Sequence, residues 1–206
     1  MNPPEATRAE GFTLRRRAVV AELLAGDDQL LVVCGLGASA WDATAAGDRD
    51  RTFPLWGAMG AAVPMGLGLA LARPNDRVLV LTGDGEMLMG MGSLSTVGFQ
   101  QPANLAVVVL DNERYGETGG QLTHTARFTD LAGVAAACGW PTTFTVREAE
   151  GAAGLATRLW SAPGPRLAVV KVSPQSDELV LPPRDGPLLK QRFRRALLGA
   201  TDGKTD

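Results

Sequence analysis

The chain has 206 residues, a formal net charge of -2 and a hydrophobic fraction of 45%. This length favours one domain with a core of its own. The charge does not indicate a nucleic acid or an acidic membrane as partner, since either usually requires a surplus of Lys and Arg. Cys34 and Cys138 stand far apart in apolar segments, so we expect two buried free thiols in a reducing compartment. We also expect a cytoplasmic protein, because the N-terminus does not resemble a secretory signal and no uninterrupted apolar run has the length of a bilayer span.

Five apolar runs of strand length alternate with helical patterns along the chain. Because these runs are apolar throughout, they predict a mainly parallel sheet of five to six strands between two helix layers, a three-layer α/β/α fold. The polar ends, 1–12 and 200–206, are predicted to be flexible, which leaves one domain over 13–199. In chain order the sequence predicts a helix over 14–26 capped by Thr13, a strand over 29–35, helices over 38–46 and 59–72, a strand over 76–83, a helix over 86–98, a strand over 104–112, a helix over 129–139, a strand over 141–146, a helix over 147–161, a strand over 165–173 and a helix over 187–199.

Glycine-rich polar segments follow three of the predicted strands: "CGLGAS" (34–39), "TGDG" (82–85) and "LDNERYGETGG" (110–120). In open parallel sheets, ligands bind beyond the carboxyl ends of the strands. The sequence therefore predicts a binding site at this edge of the sheet.

Asp84, which lies between Gly83 and Gly85, has two interpretations. It can be a turn acid that accepts hydrogen bonds from the next helix start, or a ligand of Mg²⁺ or Ca²⁺ shared with a phosphate. The flanking glycines let backbone approach a phosphate, and the N–H groups that open the next helix face such an anion. Asn112 follows 28 positions later, about one helix and one parallel strand, which places an amide oxygen beside the carboxylate. This pairing favours the metal interpretation.

The "GDG" at 83–85, followed by a helix, a strand and the "DN" at 111–112, resembles the metal-and-diphosphate motif of thiamine diphosphate enzymes. The resemblance implies the thiamine diphosphate-binding fold. It also implies that Asp84, Asn112 and the main-chain carbonyl of Arg114 hold Mg²⁺ against the diphosphate of the cofactor.

A second segment, "GAMG" (57–60), resembles the part of these enzymes that grips the aminopyrimidine ring. The resemblance implies that Met59 is the wedge that bends the cofactor and that the Gly57 carbonyl accepts from its amino group. Without this context, Met59 is an ordinary gap-filling core methionine. The resemblance extends the cofactor-binding set to residues within and beside the motifs: Gly35, Ser39, Gly83, Gly85, Glu86, Tyr115, Gly116, Glu117 and Thr118.

The segments "LDNERYGETGGQLTHT", "TDLAGVAAACG" and "LPPRDGPLLKQRF" resemble one branch of the family, sulfopyruvate decarboxylase β subunits and the C-terminal half of phosphonopyruvate decarboxylases. This implies a lyase subunit that decarboxylates a small 2-oxo acid. His124 is then a candidate general acid–base, or a loop histidine without catalytic duty. Arg114 and Arg127 are candidates for binding a sulfonate or phosphonate group, or ordinary surface arginines.

Members of this family combine a diphosphate-binding domain with a pyrimidine-binding domain that supplies an activating glutamate. The resemblance of this chain covers the diphosphate-binding domain alone. We therefore expect a separate pyrimidine-domain subunit that carries the glutamate, in an α2β2 or larger assembly.

Two departures from the family pattern concern the metal loop. Glu86 replaces a small residue directly after the "GDG", and its side chain must point away from a phosphate because like charges repel. Glu113-Arg114 replaces small or polar residues. Three other functions stay open: the β subunit of a 2-oxo acid:ferredoxin oxidoreductase, whose iron–sulfur clusters need cysteines, an acetolactate-synthase-like carboligase, and a non-catalytic cofactor-binding module. A nicotinamide-binding protein is disfavoured, since "GLGAS" lacks the third glycine of that fingerprint.

Overall fold

Six parallel strands form the central sheet in a computed structural model that describes residues 11–162 and 164–199 of the chain. The predicted flexible ends, apart from residues 11 and 12, lie outside these described residues. A separate antiparallel ribbon has two short strands. The strands of the sheet are β1 (Leu31–Cys34), β2 (Thr52–Pro54), β3 (Val78–Gly83), β4 (Leu105–Asp111), β7 (Thr142–Val146) and β8 (Arg166–Lys171), and those of the ribbon are β5 (Arg114–Tyr115) and β6 (Gln121–Leu122).

The order of the strands across the sheet is β2-β1-β3-β4-β8-β7. β3 and β4 are neighbours in the centre, and their register pairs Gly83 with Leu110. Asp84 and Asp111 therefore follow at the same carboxyl edge. β4 and β8 are also neighbours, and Asp111 pairs with Lys171 at that edge.

Helices cover both faces of the sheet. They are α1 (Arg16–Leu24), α2 (Ala38–Ala45), α3 (Ala62–Ala72), α4 (Asp84–Met89), α5 (Ser93–Gln100), α6 (Leu131–Ala137), α7 (Ala149–Ala152), α8 (Leu155–Trp160) and α9 (Gly186–Leu198). Alternate residues of β3 divide between two apolar clusters, because successive side chains of a strand point to opposite faces. Leu79 and Leu81 pack with α1, α2 and α8, whereas Val78 and Val80 pack with α3, α5 and α6.

This arrangement confirms the predicted α/β/α fold, and four local predictions need correction. The sequence does not predict the edge strand β2, since three residues ending in Pro54 give no periodic signal. The strand packs against α9 through the rings of Phe53 and Phe193, whose centroids are 5.4 Å apart. The helix predicted over 86–98 is two helices, α4 and α5, and the one over 147–161 is interrupted at Gly154, which has a φ of 72°. The helix predicted from residue 59 begins at Ala62.

Two smaller corrections concern single residues. Helix α1 has Arg15 rather than Thr13 at its N-cap position. Cys34 is buried as predicted, whereas Cys138 is half-buried, and both thiols are free. Among the described residues, none of the helices combines the length and the apolar character needed to cross a membrane.

Candidate functional site

A cavity of about 380 Å³ opens at the carboxyl ends of β1, β3 and β4. It collects most of the residues that the sequence predicts as a site, although they come from four separate segments. Gly35, Gly57 and His124 are absent from its described lining. The predicted residues that line the cavity are Ser39, Met59, Gly83, Asp84, Gly85, Glu86, Asn112, Arg114, Tyr115, Gly116, Glu117 and Thr118.

The cavity also has lining residues that the sequence does not predict. Arg16 and Arg17 of α1 both donate to the buried carboxylate of Asp42, which fixes them beside α2. The triple arginine at 15–17 has the pattern of a solvated helix face, and only the packing of α1 on α2 brings two of the three to the cavity. The remaining unpredicted lining residues are Leu36, Ala38, Trp41, Leu110, Pro174, Ser176 and Asp177.

Asp84 is the buried acid of the site. The Thr123 hydroxyl donates to its Oδ2 at 2.5 Å, and the Thr125 hydroxyl, which donates to Asp111 Oδ1 at 2.8 Å, lies 3.3 Å from the same Oδ2. Burial, and next the negative charge of Asp111, raise the pKa of Asp84 to about 7, although the two threonine hydrogen bonds oppose this rise. A carboxylate that is ionised at such a site gains much from a nearby cation. Since both hydroxyls lie against Oδ2, Oδ1 is the oxygen that can bind a cation.

Asn112 and Arg114 follow in a tight turn. The Arg114 N–H donates to Asn112 Oδ1 at 3.0 Å, and the Glu113 N–H donates to Asp111 Oδ1 at 3.0 Å. Glu113 between them has a φ of 58°, in the left-handed region that non-glycine residues rarely adopt. This turn carries the chain from β4 into the ribbon, where Arg114 pairs with Leu122.

Glu86 points into the protein beneath the turn after β1. The Thr82 hydroxyl donates to its Oε2 at 2.9 Å, and a Cβ on Gly35 would lie only 1.5 Å from that oxygen. Burial raises the pKa of Glu86, opposed by the Thr82 hydroxyl and the nearby main-chain N–H groups of Ala62 and Gly60. Its Oε1 is buried without a hydrogen bond among the described residues. The place that Glu86 occupies therefore exists because residue 35 is glycine.

Met59 lies at the rim of the cavity and is 40% exposed, which rules out the gap-filling core interpretation. Ala58 before it has a φ of 57°, so a turn projects Met59 away from α3. A Cβ on Gly85 would lie 3.8 Å from the Met59 methyl group and 2.7 Å from the Tyr115 ring. Gly85 thus lets Tyr115 and Met59 close over the start of α4.

His124 is exposed, whereas Thr123 and Thr125 on either side of it are buried against Asp84. The sequence draws attention to His124 because it is the only histidine. No periodic signal in the sequence identifies the two threonines, because His124–Ala126 form a 3-10 helical turn and only the fold brings both hydroxyls to Asp84.

The donor set fits a hard cation with a diphosphate. Carboxylate, amide and main-chain carbonyl oxygens are the ligands that Mg²⁺ and Ca²⁺ prefer, and Asp84, Asn112 and Arg114 can supply one of each. A Cβ on Gly83 would meet nothing within 4 Å, so this glycine leaves open space on the cavity side. Among the described residues there is no cluster of three or more His, Cys, Asp or Glu arranged for a metal.

The sequence model described as "Thiamine pyrophosphate enzyme, C-terminal TPP binding domain" matches residues 39–170. The chain belongs to this family. It is 33% identical over 189 residues to the sulfopyruvate decarboxylase subunit beta of Methanococcus maripaludis, a match that covers 89% of this chain and 98% of that subunit. It is 44% identical over 115 residues to the corresponding subunit of Methanocaldococcus jannaschii, covering 56% of this chain and 61% of the relative.

Two other similar proteins are longer than the region that matches this chain. The phosphonopyruvate decarboxylase of Streptomyces viridochromogenes is 38% identical over 164 residues, and the match covers 79% of this chain but 41% of that enzyme. The crystal structure of benzoylformate decarboxylase from Polynucleobacter necessarius superposes with a TM-score of 0.64 at 21% identity, covering 86% of this chain and 36% of that one. The fold and family predicted from the sequence are thereby confirmed.

Proposed function

We propose that this chain is the β-type subunit of a thiamine diphosphate- and Mg²⁺-dependent 2-oxo acid decarboxylase, with residues 13–199 as its cofactor-binding domain. The observation that carries the proposal is the convergence of Asp84, Asn112 and Met59 on one cavity at the carboxyl edge of the sheet. Asp84 and Asn112 belong to one motif that the sequence relates to the cofactor, and Met59 belongs to a second, separate motif. A cytoplasmic location remains a prediction.

In this proposal, Asp84, Asn112 and the Arg114 carbonyl would hold Mg²⁺ at the diphosphate of the cofactor. Thiamine diphosphate supplies the electron sink that decarboxylation of a 2-oxo acid requires. Met59 and the Gly57 carbonyl orient the pyrimidine ring, while Thr123 and Thr125 keep the Asp84 carboxylate directed at the cation. In this proposal the Glu86 carboxylate does not reach the phosphate, because it accepts a hydrogen bond from Thr82 and fills the space left by the missing side chain of Gly35.

We further propose that a second subunit supplies the pyrimidine-binding domain and its glutamate. The relatives matched over most of their length are named subunit beta, and the longer phosphonopyruvate decarboxylase is matched over a minor part. Exposed apolar side chains support a contact with another chain: Met59, which lines the cavity, Met89 and Met91 are 40, 68 and 36% exposed. Gly60 and Gly90, their chain neighbours, are in direct backbone contact, so the three methionines belong to one region of the surface.

Calorimetry tests cofactor binding. Thiamine diphosphate with Mg²⁺ is expected to bind the purified chain, whereas thiamine without phosphates does not, and EDTA or Asp84→Asn abolishes binding. The proposed metal site is contradicted if thiamine binds as tightly as its diphosphate. It is also contradicted if binding of the diphosphate persists both in EDTA and in Asp84→Asn.

A reconstitution assay tests the partner. The chain alone, loaded with thiamine diphosphate and Mg²⁺, is expected not to release CO₂ from 2-oxo acids. Addition of a pyrimidine-domain chain from the same genome is expected to restore release. Sulfopyruvate, phosphonopyruvate and pyruvate are compared in parallel, because the names of the relatives point to substrates with a second anionic group. Turnover by the chain alone contradicts the two-subunit proposal.

A further inference from the structure

Lys171, the last residue of β8, is a buried cation directly behind the metal loop. Its side chain is 7% exposed, and its Nζ lies 2.6 Å from Asp111 Oδ2 and 2.8 Å from Glu113 Oε1. It also lies 5.6 Å from the centre of the Phe12 ring. A lysine is rarely this buried unless it is paired, so the contacts with the two carboxylates explain its position.

Glu113 is an equally unusual partner. It is fully buried, and its backbone is in the left-handed region, with a φ of 58°. Such a conformation is strained in a non-glycine residue and persists only where surrounding contacts hold it. The hydrogen bond to Lys171 is a contact of this kind, because it attaches the Glu113 side chain to the sheet.

Lys171 connects the loop to the candidate metal ligand through a continuous set of contacts. It binds Asp111 Oδ2, the Thr125 hydroxyl donates to Asp111 Oδ1 at 2.8 Å and lies 3.3 Å from Asp84 Oδ2, and the Thr123 hydroxyl donates to Asp84 Oδ2. The Thr123 N–H also donates to the Glu113 carbonyl at 3.0 Å. The two segments that carry the candidate ligands are thus fastened to each other and to β8.

We propose that Lys171 and Glu113 form a positioning pair that holds the loop at 111–114 in the shape that presents Asn112 and the Arg114 carbonyl to the cation. This inference rests on the proposed metal site. It assigns a role to Glu113, which departs from the pattern of the family. The buried partner that makes this departure possible is 58 positions away in sequence.

Positioning and simple charge predict different signs for metal affinity. If Lys171 acted only as a nearby positive charge, its removal would strengthen cation binding and removal of the Glu113 charge would weaken it. If the pair positions the loop, removal of either partner weakens cation binding, since both changes release the same turn. Lys171→Met and Glu113→Gln keep the approximate length of each side chain and therefore separate the two roles.

The control is Arg166→Met. Arg166 is the first residue of β8, is also a buried cation and donates to the carbonyls of Ala103 and Ala162. Strand geometry places it about 17 Å from Lys171. It matches Lys171 in burial and strand, so its loss reports the general cost of removing a buried cation from β8.

The first measurement is a Mn²⁺ titration by electron paramagnetic resonance in the presence of thiamine diphosphate. We expect Lys171→Met and Glu113→Gln each to weaken Mn²⁺ binding about tenfold, the double variant to bind no better than either, and Arg166→Met to bind as the wild type does. Tighter binding by Lys171→Met with weaker binding by Glu113→Gln overturns the proposal in favour of a charge effect.

The second measurement is amide hydrogen exchange without metal, which tests the positioning role even if the wild type binds no Mn²⁺. Failure of the wild type to bind Mn²⁺ would contradict the proposed function alone. Exchange within 112–123 is expected to rise at least tenfold in Glu113→Gln and Lys171→Met but not in Arg166→Met. If Lys171→Met fails to fold, Glu113→Gln, the milder substitution, decides the outcome. Unchanged hydrogen exchange in Glu113→Gln overturns the proposal.

Discussion

At the scale of single residues, the site depends on pairs whose members are far apart in sequence. Gly35 and Glu86 form such a pair, because the Glu86 carboxylate fills the position that a side chain at residue 35 would take. The departure of Glu86 from the family pattern is thereby accommodated within the fold, because its carboxylate is buried beside Thr82 and Gly35.

The Gly35–Glu86 pair predicts a double-mutant result. Gly35→Ala is expected to lower the free energy of unfolding by about 1–2 kcal/mol, since the new methyl group displaces a buried carboxylate from its hydrogen bond with Thr82. In a Glu86→Ser background, the same substitution is expected to cost less than about 0.5 kcal/mol. Urea denaturation of the four proteins measures the coupling. Equal costs in both backgrounds would show that the two residues are independent.

Asp84 predicts the pH dependence of the metal-free chain. Its pKa of about 7 exceeds the ordinary value of 3.8, so the folded chain binds more protons than the unfolded chain between these pH values. Stability is therefore expected to fall as the pH rises from about 4 to 7, and this penalty is absent below that window. Glu86 contributes with the same sign, because burial also raises its pKa.

Thermal unfolding in EDTA between pH 4.5 and 8 measures this slope. Asp84→Asn is expected to remove part of it, and Mg²⁺ with thiamine diphosphate is expected to stabilise the wild type more at pH 8 than at pH 5, because the cation binds the ionised carboxylate. An identical slope in Asp84→Asn would mean that other groups cause the pH dependence.

At the scale of elements, the residues between α4 and α5 contact the segment that carries Met59, and α4 begins at the candidate metal ligand Asp84. A Cβ on Gly90 would lie 2.2 Å from the carbonyl oxygen of Gly60, and one on Gly60 would lie 2.9 Å from the Gly90 amide nitrogen. The two backbones can approach this closely only because both residues are glycine. The helical pattern over 86–98 is correct for each half, and the contact that interrupts it comes from the loop before α3.

This contact predicts a contrast between neighbouring glycines. Gly90→Ala is expected to destabilise the chain by about 2–3 kcal/mol, since neither backbone can move aside without disturbing a helix end. It is also expected to weaken thiamine diphosphate binding by shifting Met59. Gly92→Ala is the matched control, because a Cβ there meets nothing within 4 Å. Chemical denaturation and calorimetry compare the two, and similar results for both would contradict the role of the Gly60–Gly90 contact.

At the scale of the whole molecule, the cavity collects groups from the loops after β1, β3 and β4 and from α1. A ligand that binds all of them is expected to stabilise the folded chain as a unit. With the cofactor at a hundred times its dissociation constant, this stabilisation is about 2.7 kcal/mol. Thermal unfolding should show one transition that shifts upward with thiamine diphosphate and Mg²⁺ together. A shift with either alone that equals the shift with both would contradict a shared site.

Apolar runs in the sequence determined the α/β/α layers and the parallel sheet, because buried strands need residues that are apolar on both faces. The strand ends likewise determined Asp84 and Asn112 as a pair, since parallel strands end at one edge. The interrupted helices and the edge strand β2 could not be predicted in this way, because their causes are a backbone contact, a left-handed glycine and packing against α9.

Only the tertiary structure decided which polar residues support the site. His124 is conspicuous in the sequence and is exposed, whereas Thr123, Thr125 and Lys171 are inconspicuous and are buried around Asp84 and Asp111. The sequence alone determined that a carboxylate and an amide meet at the end of a parallel sheet, because strand length and helix length fix their spacing. Gly35 leaves room for the buried side chain of Glu86, and Lys171 pairs with that of Glu113. The sequence does not show either contact, because these residues approach each other only when the chain is folded.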